Sequence, residues 1–228
     1  MKSLFIVGTD TDVGKTFING LFTYKLKDSN VISYKPVQSG CMENGKFYIC
    51  DVEFVNKLCK FNDEKKKDMN TYALGEAVSP HLAAEMDDVK ICKEKIIKEY
   101  GKLKNKYDYV VVEGAGGCIV PIIRDEYYMC DLIRDLNISV VVVASTKVGS
   151  INHTLLTIEY LKSKNIKING IVFNGYSNNF YEDDNIKIIL KNSKIDNYLV
   201  VDKLESLDID DIKVYFDKIQ KQDIEKFF

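Results

Sequence analysis

A doubly wound α/β domain with a mostly parallel sheet follows from three features of the sequence. Short, nearly continuous apolar runs alternate with amphipathic helical stretches, the pattern of parallel strands covered on both faces. The first run, residues 4–7, leads into a glycine-containing turn and then a helix. Polar residues suited to phosphate and metal chemistry stand at the ends of several runs, where open α/β sheets bind ligands. A chain of 228 residues, 46% of them hydrophobic, fits one such domain spanning residues 1–228 with a substantial core.

Leu4-Phe5-Ile6-Val7 reads as the first strand, and Gly8-Thr9-Asp10-Thr11-Asp12-Val13-Gly14-Lys15-Thr16 follows it. Five residues separate Gly8 from Gly14, one more than the usual phosphate loop has, so the stretch is a variant of that motif. Consecutive N–H groups and a helix N-terminus would face an anion there. Lys15 would reach β- and γ-phosphates, and the Thr16 hydroxyl would coordinate magnesium.

A helix is expected over residues 16–26, with Phe17, Leu21 and Tyr24 on one face. A strand over 31–34 is expected to end at Lys35-Pro36, because proline restricts the residue before it. Val37-Gln38-Ser39-Gly40 then reads as a loop. The next helix, 48–59, turns Val52, Val55 and Leu58 inward and carries Asp51 in its first turn. That carboxylate is either a first-turn helix acid or a metal ligand.

Residues 61–68 read as a charged, solvated connector. Ser79-Pro80-His81 reads as a helix start, Ser79 capping and Pro80 in the first position. A longer helix over 91–103 places Ile96, Ile97, Tyr100 and Leu103 at helical spacing. The strand over 109–112 would deliver Glu113 at its C-terminal end, just before Gly114-Ala115-Gly116-Gly117. Helices at 129–136 and 151–161 flank a strand at 140–144. A strand over 168–173 would leave Asn174 at its end, followed by a helix at 186–190, a short strand at 198–201 and a helix at 209–219.

Several function classes are excluded. A net charge of -2, from 32 basic and 34 acidic side chains, gives no electrostatic case for nucleic acid or an acidic membrane. The first apolar run is too short for a signal peptide, and none reaches the length of a membrane span. The six cysteines form no C-x-x-C pair, so reduced thiols in the cytoplasm are expected. His81 reads as structural or substrate-facing, and His153 as a helix-start residue; neither has a partner at zinc spacing. No G-x-S-x-G elbow supports a nucleophilic serine. What remains is a set of polar groups at one sheet edge: the loop at 8–16, Lys35, Glu113 and Asn174, with Asp51 nearby. Thr16, Asp51, Glu113 and nucleotide phosphates would make an oxygen shell suited to magnesium.

With these residues in place, the sequence resembles the dethiobiotin synthetase family, ATP-dependent ligases of biotin biosynthesis. The resemblance runs from Lys2 to about Asn174. It rests on the segment 8–16, Lys35-Pro36-Val37-Gln38-Ser39-Gly40, Ser79-Pro80-His81-Leu82-Ala83-Ala84, Val112-Glu113-Gly114-Ala115-Gly116-Gly117, and Gly149 with Ile151-Asn152-His153-Thr154. It implies a phosphate-loop NTPase-like fold and the magnesium-dependent conversion of 7,8-diaminopelargonate, carbon dioxide and ATP to dethiobiotin, ADP and phosphate, through a carbamate and a carbamic–phosphoric anhydride. The family pattern implies that Lys15 and Lys35 stabilise the carbamate and the transferring phosphoryl group. Thr11 and Ser39 would bind the diamine, and Thr16, Asp51 and Glu113 the magnesium. Thr9, Asp10, Thr11, Asp12, Val13, Gly14, Lys15, Thr16, Glu113, Gly116 and Asn174 would line the nucleotide, Asn174 at the adenine. It also implies a homodimer, with the substrate carboxylate near the interface at the helix start Ser150, Ile151 and Asn152.

The chain departs from the pattern after the last strand, where Leu199-Val200-Val201-Asp202-Lys203 replaces a glycine-x-proline segment. Two other readings compete. Related ligases and amidases of cobalamin assembly share the loop and the Glu-Gly-Ala-Gly segment, but the amidases need a glutamine-hydrolysing domain for which there is no room. Partition ATPases carry a lysine where this chain has Asp10, and glycines at Thr11 and Asp12.

Overall fold

The computed structural model describes residues 2–43 and 45–228. In chain order the elements are β1 (Lys2–Gly8), α1 (Lys15–Lys25), β2 (Val31–Gln38), β3 (Met42–Glu43), β4 (Lys46–Phe47), α2 (Cys50–Cys59), α3 (Asp63–Lys67), β5 (Asn70–Ala73), α4 (Pro80–Met86), α5 (Lys93–Lys106), β6 (Tyr109–Gly117), β7 (Pro121–Ile123), β8 (Tyr127–Tyr128), α6 (Met129–Leu136), β9 (Ser139–Ser145), α7 (Ser150–Ser163), β10 (Ile168–Tyr176), α8 (Glu182–Ser193), β11 (Tyr198–Asp202), α9 (Ile209–Lys218) and α10 (Lys221–Glu225).

Seven strands form one sheet in the order β11-β10-β9-β1-β6-β2-β5, every neighbouring pair parallel. Two small antiparallel pairs, β3–β4 and β7–β8, stand outside it. β1 is central because its apolar run suits burial on both faces: Leu4, Phe5, Ile6 and Val7 are fully buried. Their alternation sends Phe5 and Val7 to one core and Leu4 and Ile6 to the other. The first core is closed by α5, α6, α7 and α8 through Ile96, Leu132, Ile158 and Ile186. α1, α9 and α10 close the second through Ile18, Phe22, Phe216 and Ile224. β1 lies between β6 and β9, so the strand order reverses there and opens a crevice at the carboxyl edge.

Several element boundaries differ from the sequence expectation, each for a physical reason. β2 does not stop at Pro36 but runs on to Gln38. The Lys35 N–H bonds Met69 O on the β5 side, so the missing N–H of Pro36 falls on the β6 side, beyond the last paired residue, Tyr34. β6 likewise continues past Glu113 to Gly117, and β10 past Asn174 to Tyr176, so neither residue ends its strand. The connector at 61–68 contains the short helix α3, whose start is capped by the Asn62 side chain accepting from Lys65 N. β5 is a four-residue edge strand with little apolar signature, and the sequence reading places no element there. Pro80 does open α4, but Ser79 makes no side-chain capping bond.

Candidate active site

The strand register brings the charged groups together. Tyr34 is aligned with Val112 across β2 and β6, so the next residues, Lys35 and Glu113, emerge side by side. Lys35 Nζ lies 2.7 Å from Glu113 Oε1 and 2.6 Å from Asp51 Oδ2, and also donates to Gly114 O at 3.1 Å. Burial alone would lower the Lys35 pKa, but the Glu113 and Asp51 carboxylates outweigh it and hold it above its ordinary value. Burial pushes Asp51 up, and the Lys35 ammonium overrides that to leave it below its ordinary value. Asp51 lies in the first turn of α2, and its carboxylate also meets the Lys35 ammonium.

Glu113 has no exposed surface, and both its carboxylate oxygens accept hydrogen bonds. Its Oε1 also accepts from Thr16 Oγ1 at 2.7 Å, and its Oε2 from Asn19 Nδ2 at 2.8 Å. Asn19 also donates to Ser33 Oγ at 2.8 Å. A buried carboxylate is tolerable only with such partners. Thr16 and Asn19 reach it together because three residues on a helix is one turn, and both lie on the same face of α1.

The phosphate loop is folded back on itself. Asp10 Oδ1 accepts from Thr11 N at 2.7 Å, and Lys15 Nζ donates to Asp10 O at 2.8 Å. Gly14 has φ 91°, a left-handed conformation, and a Cβ there would lie 2.1 Å from Asn174 Nδ2. Only glycine satisfies both demands. Asn174 Nδ2 donates to Val13 O at 2.9 Å, tying β10 to the loop. Lys15 is 7% exposed. Its pKa falls to about 8, through burial first and the neighbouring Lys35 second.

A cleft of about 460 Å³ opens over these groups, with Thr11, Asp12, Gly14, Lys15, Thr16, Lys35, Ser39, Asp51, Glu113 and Gly116 in its lining. A second cavity of about 420 Å³ shares Thr11, Ser39 and Gly116 with it and adds the apolar Ala77, Val78 and Pro80. Thr9 and Asp10 line a third cavity on the other side of the loop. A larger hollow of about 550 Å³ lies among residues 133–139 and 163–167 and has no carboxylate in its lining. Ser150, Ile151 and Asn152 open α7 as expected, but they do not line the cleft. The sequence reading assigned no role to Asn19, Gln38 or Cys50. Asn19 was detectable as a polar residue one turn beyond Thr16, and Gln38 by its place in the Lys35-to-Gly40 segment; Cys50 carries no motif signal.

The oxygen donors suit a hard divalent cation: a hydroxyl and two carboxylates converge, Thr16 bonding Glu113 directly and Lys35 bridging Glu113 to Asp51. A parallel sheet, a glycine loop opening a helix, and a lysine with a hydroxyl at that helix start define a phosphate-loop nucleotide-binding protein. Solved structures agree at the level of fold. The chain superposes over its whole length on the MinC:MinD complex of Aquifex aeolicus (TM-score 0.60, 18% identity, 93% of that chain). It also does so on a putative plasmid partition protein of Borrelia burgdorferi (TM-score 0.61, 14% identity, 98% of that chain).

Sequence relatives narrow the class. The family profile described as an AAA domain matches residues 2–209. ATP-dependent dethiobiotin synthetase BioD of Fusobacterium nucleatum subsp. nucleatum is 46% identical over 228 residues, covering 100% of this chain and 98% of that protein. The BioD protein of Clostridium novyi is 37% identical, covering 99% and 98%. This chain belongs to the ATP-dependent dethiobiotin synthetase family.

Proposed function

We propose that the chain, acting as one α/β domain, is the magnesium- and ATP-dependent ligase that closes the ureido ring of dethiobiotin. It takes 7,8-diaminopelargonate, carbon dioxide and ATP to dethiobiotin, ADP and phosphate. The observation that carries this reading is the buried Lys35–Asp51–Glu113 cluster set against Lys15 and Thr16 of the phosphate loop. Two lysines and two carboxylates in one cleft match a reaction that gathers a triphosphate, a metal and a carbamate. Full-length identity of 37–46% to dethiobiotin synthetases supports the same substrates.

One substrate amine adds to carbon dioxide, forming a C–N bond and, after losing a proton, a carbamate. A carbamate oxygen then attacks the γ-phosphorus: a new O–P bond forms and the bond to the ADP oxygen breaks. The second amine attacks the activated carbonyl, forming the second C–N bond, expelling phosphate and releasing a proton. Phosphoryl transfer of this kind depends on positioning and charge stabilisation more than on covalent help. Lys15 shares the cleft with Lys35, and its ammonium would follow negative charge from the triphosphate to the carbamate. Thr16, Asp51 and Glu113 would hold the magnesium ion, which offsets charge on the β- and γ-oxygens. Lys35, now the counter-ion of both carboxylates, would then be free to meet the carbamate. Thr11 and Ser39, in the lining shared by the cleft and its apolar neighbour, would bind the diamine, with its aliphatic chain along Ala77, Val78 and Pro80.

Thr9 to Thr16, Gly116 and Asn174 would contact the nucleotide. The start of α7, with Ser150 Oγ buried and without a hydrogen-bond partner among the described residues, would take the substrate carboxylate across a homodimer interface. The exposed Ile119, Val148 and Leu156 support a covered surface there. Among the described residues, no helix is long and apolar enough to cross a membrane. Phosphate release from ATP that requires magnesium, bicarbonate and 7,8-diaminopelargonate together is the expected result. Release that ignores the diamine would refute the assignment.

A further inference from the structure

We propose that Gln38 is a substrate-binding residue, its amide oxygen receiving an N–H of one of the two amino groups of the diamine. The inference rests on the ligase reading above and adds to it a residue with which that reading dispensed. Gln38 is 2% exposed and lines the cleft alongside Lys35, Ser39 and Asp51. Its backbone is pinned in β2, Leu74 N donating to Gln38 O at 2.8 Å.

The side-chain amide has one end committed and one end open. Nε2 donates to Cys50 Sγ at 2.9 Å, while Oε1 is buried and has no hydrogen-bond partner among the described residues. The direction of that bond is set by the next group along. Cys50 Sγ lies 3.5 Å from Asp51 Oδ1, and a carboxylate accepts, so the thiol proton points to Asp51 and the sulfur is left to accept from Nε2. Asp51 in turn is held by Lys35. The open end of this chain of contacts is therefore an acceptor.

A buried carbonyl oxygen without a donor is costly, and an arriving N–H relieves that cost. The terminal torsion of glutamine is soft, so the amide plane can turn toward a ligand cheaply. The two carboxylates beside it are engaged, Glu113 by Lys35, Thr16 and Asn19 and Asp51 by Lys35 and Cys50, whereas the remaining side-chain acceptors of the lining, on Thr11, Asp12 and Ser39, are exposed or half-buried. An incoming amine brings donors into a site that already holds two ammonium groups, and it needs an acceptor. A neutral amide oxygen suits the neutral amine. A carboxylate would favour the ammonium form, which has no lone pair to attack with, whereas Lys15 and Lys35 nearby disfavour it.

The test compares wild type with Gln38→Leu and Gln38→Met, two variants of different shape that both lack the acceptor. Isothermal titration would measure binding of 7,8-diaminopelargonate, 7-aminopelargonate, 8-aminopelargonate and magnesium ATP to each, beside diamine-dependent phosphate release by wild type. Both variants should bind the diamine and one monoamine about tenfold more weakly, leaving the other monoamine and magnesium ATP within about twofold. The monoamine that is affected identifies the amino group. Unchanged diamine binding, equal losses for both monoamines, or a matching loss for magnesium ATP in either folded variant would overturn the assignment. A wild type that releases no phosphate in response to the diamine would instead bring down the ligase reading, and this inference with it.

Discussion

At the phosphate end of the sheet edge, polar side chains bond across long stretches of chain. Thr16, Asn19 and Lys35 reach Glu113 from 97, 94 and 78 residues away. Beyond Asn174 the polar groups mostly satisfy one another locally. Tyr176 donates to Asp183 seven residues on, and Glu182 accepts from the N–H groups of Ser177 and Asn179, five and three residues back. Longer-range ties of that region, Thr146 to Glu182 and Asn185 to Thr146 O among them, fasten the start of α8 to the loop after β9. The first region holds its charges in place by fixing them to two strands and two helices. The second uses its polar groups to hold its own shape, leaving fewer of them for recognition. Tight control of phosphate and metal should therefore coexist with loose control of the base.

The largest effect that would break this comparison concerns Lys15. Replacing it with methionine should cut turnover by roughly 10²–10³-fold, the scale of losing one charge-stabilising donor. Stability should move the other way. The folded-state pKa of about 8 lies below the ordinary 10.5, so the folded protein binds that proton less readily than the unfolded chain does. The resulting penalty is complete below about pH 8 and shrinks as the pH climbs toward 10.5. Lys15→Met should then stabilise the ligand-free protein by on the order of 1–3 kcal/mol at pH 7, roughly 2–12 °C in Tm. A variant that loses turnover and melts no higher than wild type would show that the loop carries no electrostatic strain.

Next comes Glu113. Glu113→Gln removes a charge from a fully buried pair and should cost about 3–5 kcal/mol, seen as a lower melting temperature. It should also raise the magnesium concentration for half-maximal rate by at least about tenfold. Asp51→Asn should act in the same direction but less, because its side chain is 21% exposed. A magnesium titration unmoved by Asp51→Asn would remove Asp51 from the metal site.

A smaller effect tests the base side. GTP and CTP should support dethiobiotin formation with kcat/KM within roughly tenfold of ATP, or ~1.4 kcal/mol. Rejecting a close analogue depends on leaving buried donors and acceptors of the site unpaired, and here they pair with each other. A hundredfold preference for ATP in steady-state kinetics would place real base recognition after Asn174. The smallest effect should come from Asn174→Ala, which removes one hydrogen bond to Val13 O. About a fivefold rise in KM for ATP is expected, with kcat little changed. A loss of ATP-over-GTP preference in that variant would instead assign Asn174 to the base.

The sequence by itself determined the α/β class, the order of the long elements and which charged residues stand at the loop and strand ends of the cleft. Those follow from continuous apolar runs and from a loop whose spacing has a direct physical meaning, so Lys15, Thr16, Lys35 and Glu113 were legible as residues. Their pairing was not. That Lys35 bridges Asp51 and Glu113 depends on β2 lying beside β6 in the register that aligns Tyr34 with Val112, a contact between segments 78 residues apart. Pro36 misled because a missing N–H matters only if it faces a neighbour strand, and the tertiary arrangement leaves that side unpaired. β5 was hidden because an edge strand need not be apolar. Gln38 stands in the Lys35-to-Gly40 segment but nothing in that segment marks its role, and Cys50 belongs to no motif; burial, which leaves one amide oxygen without a donor among the described residues, makes the pair meaningful.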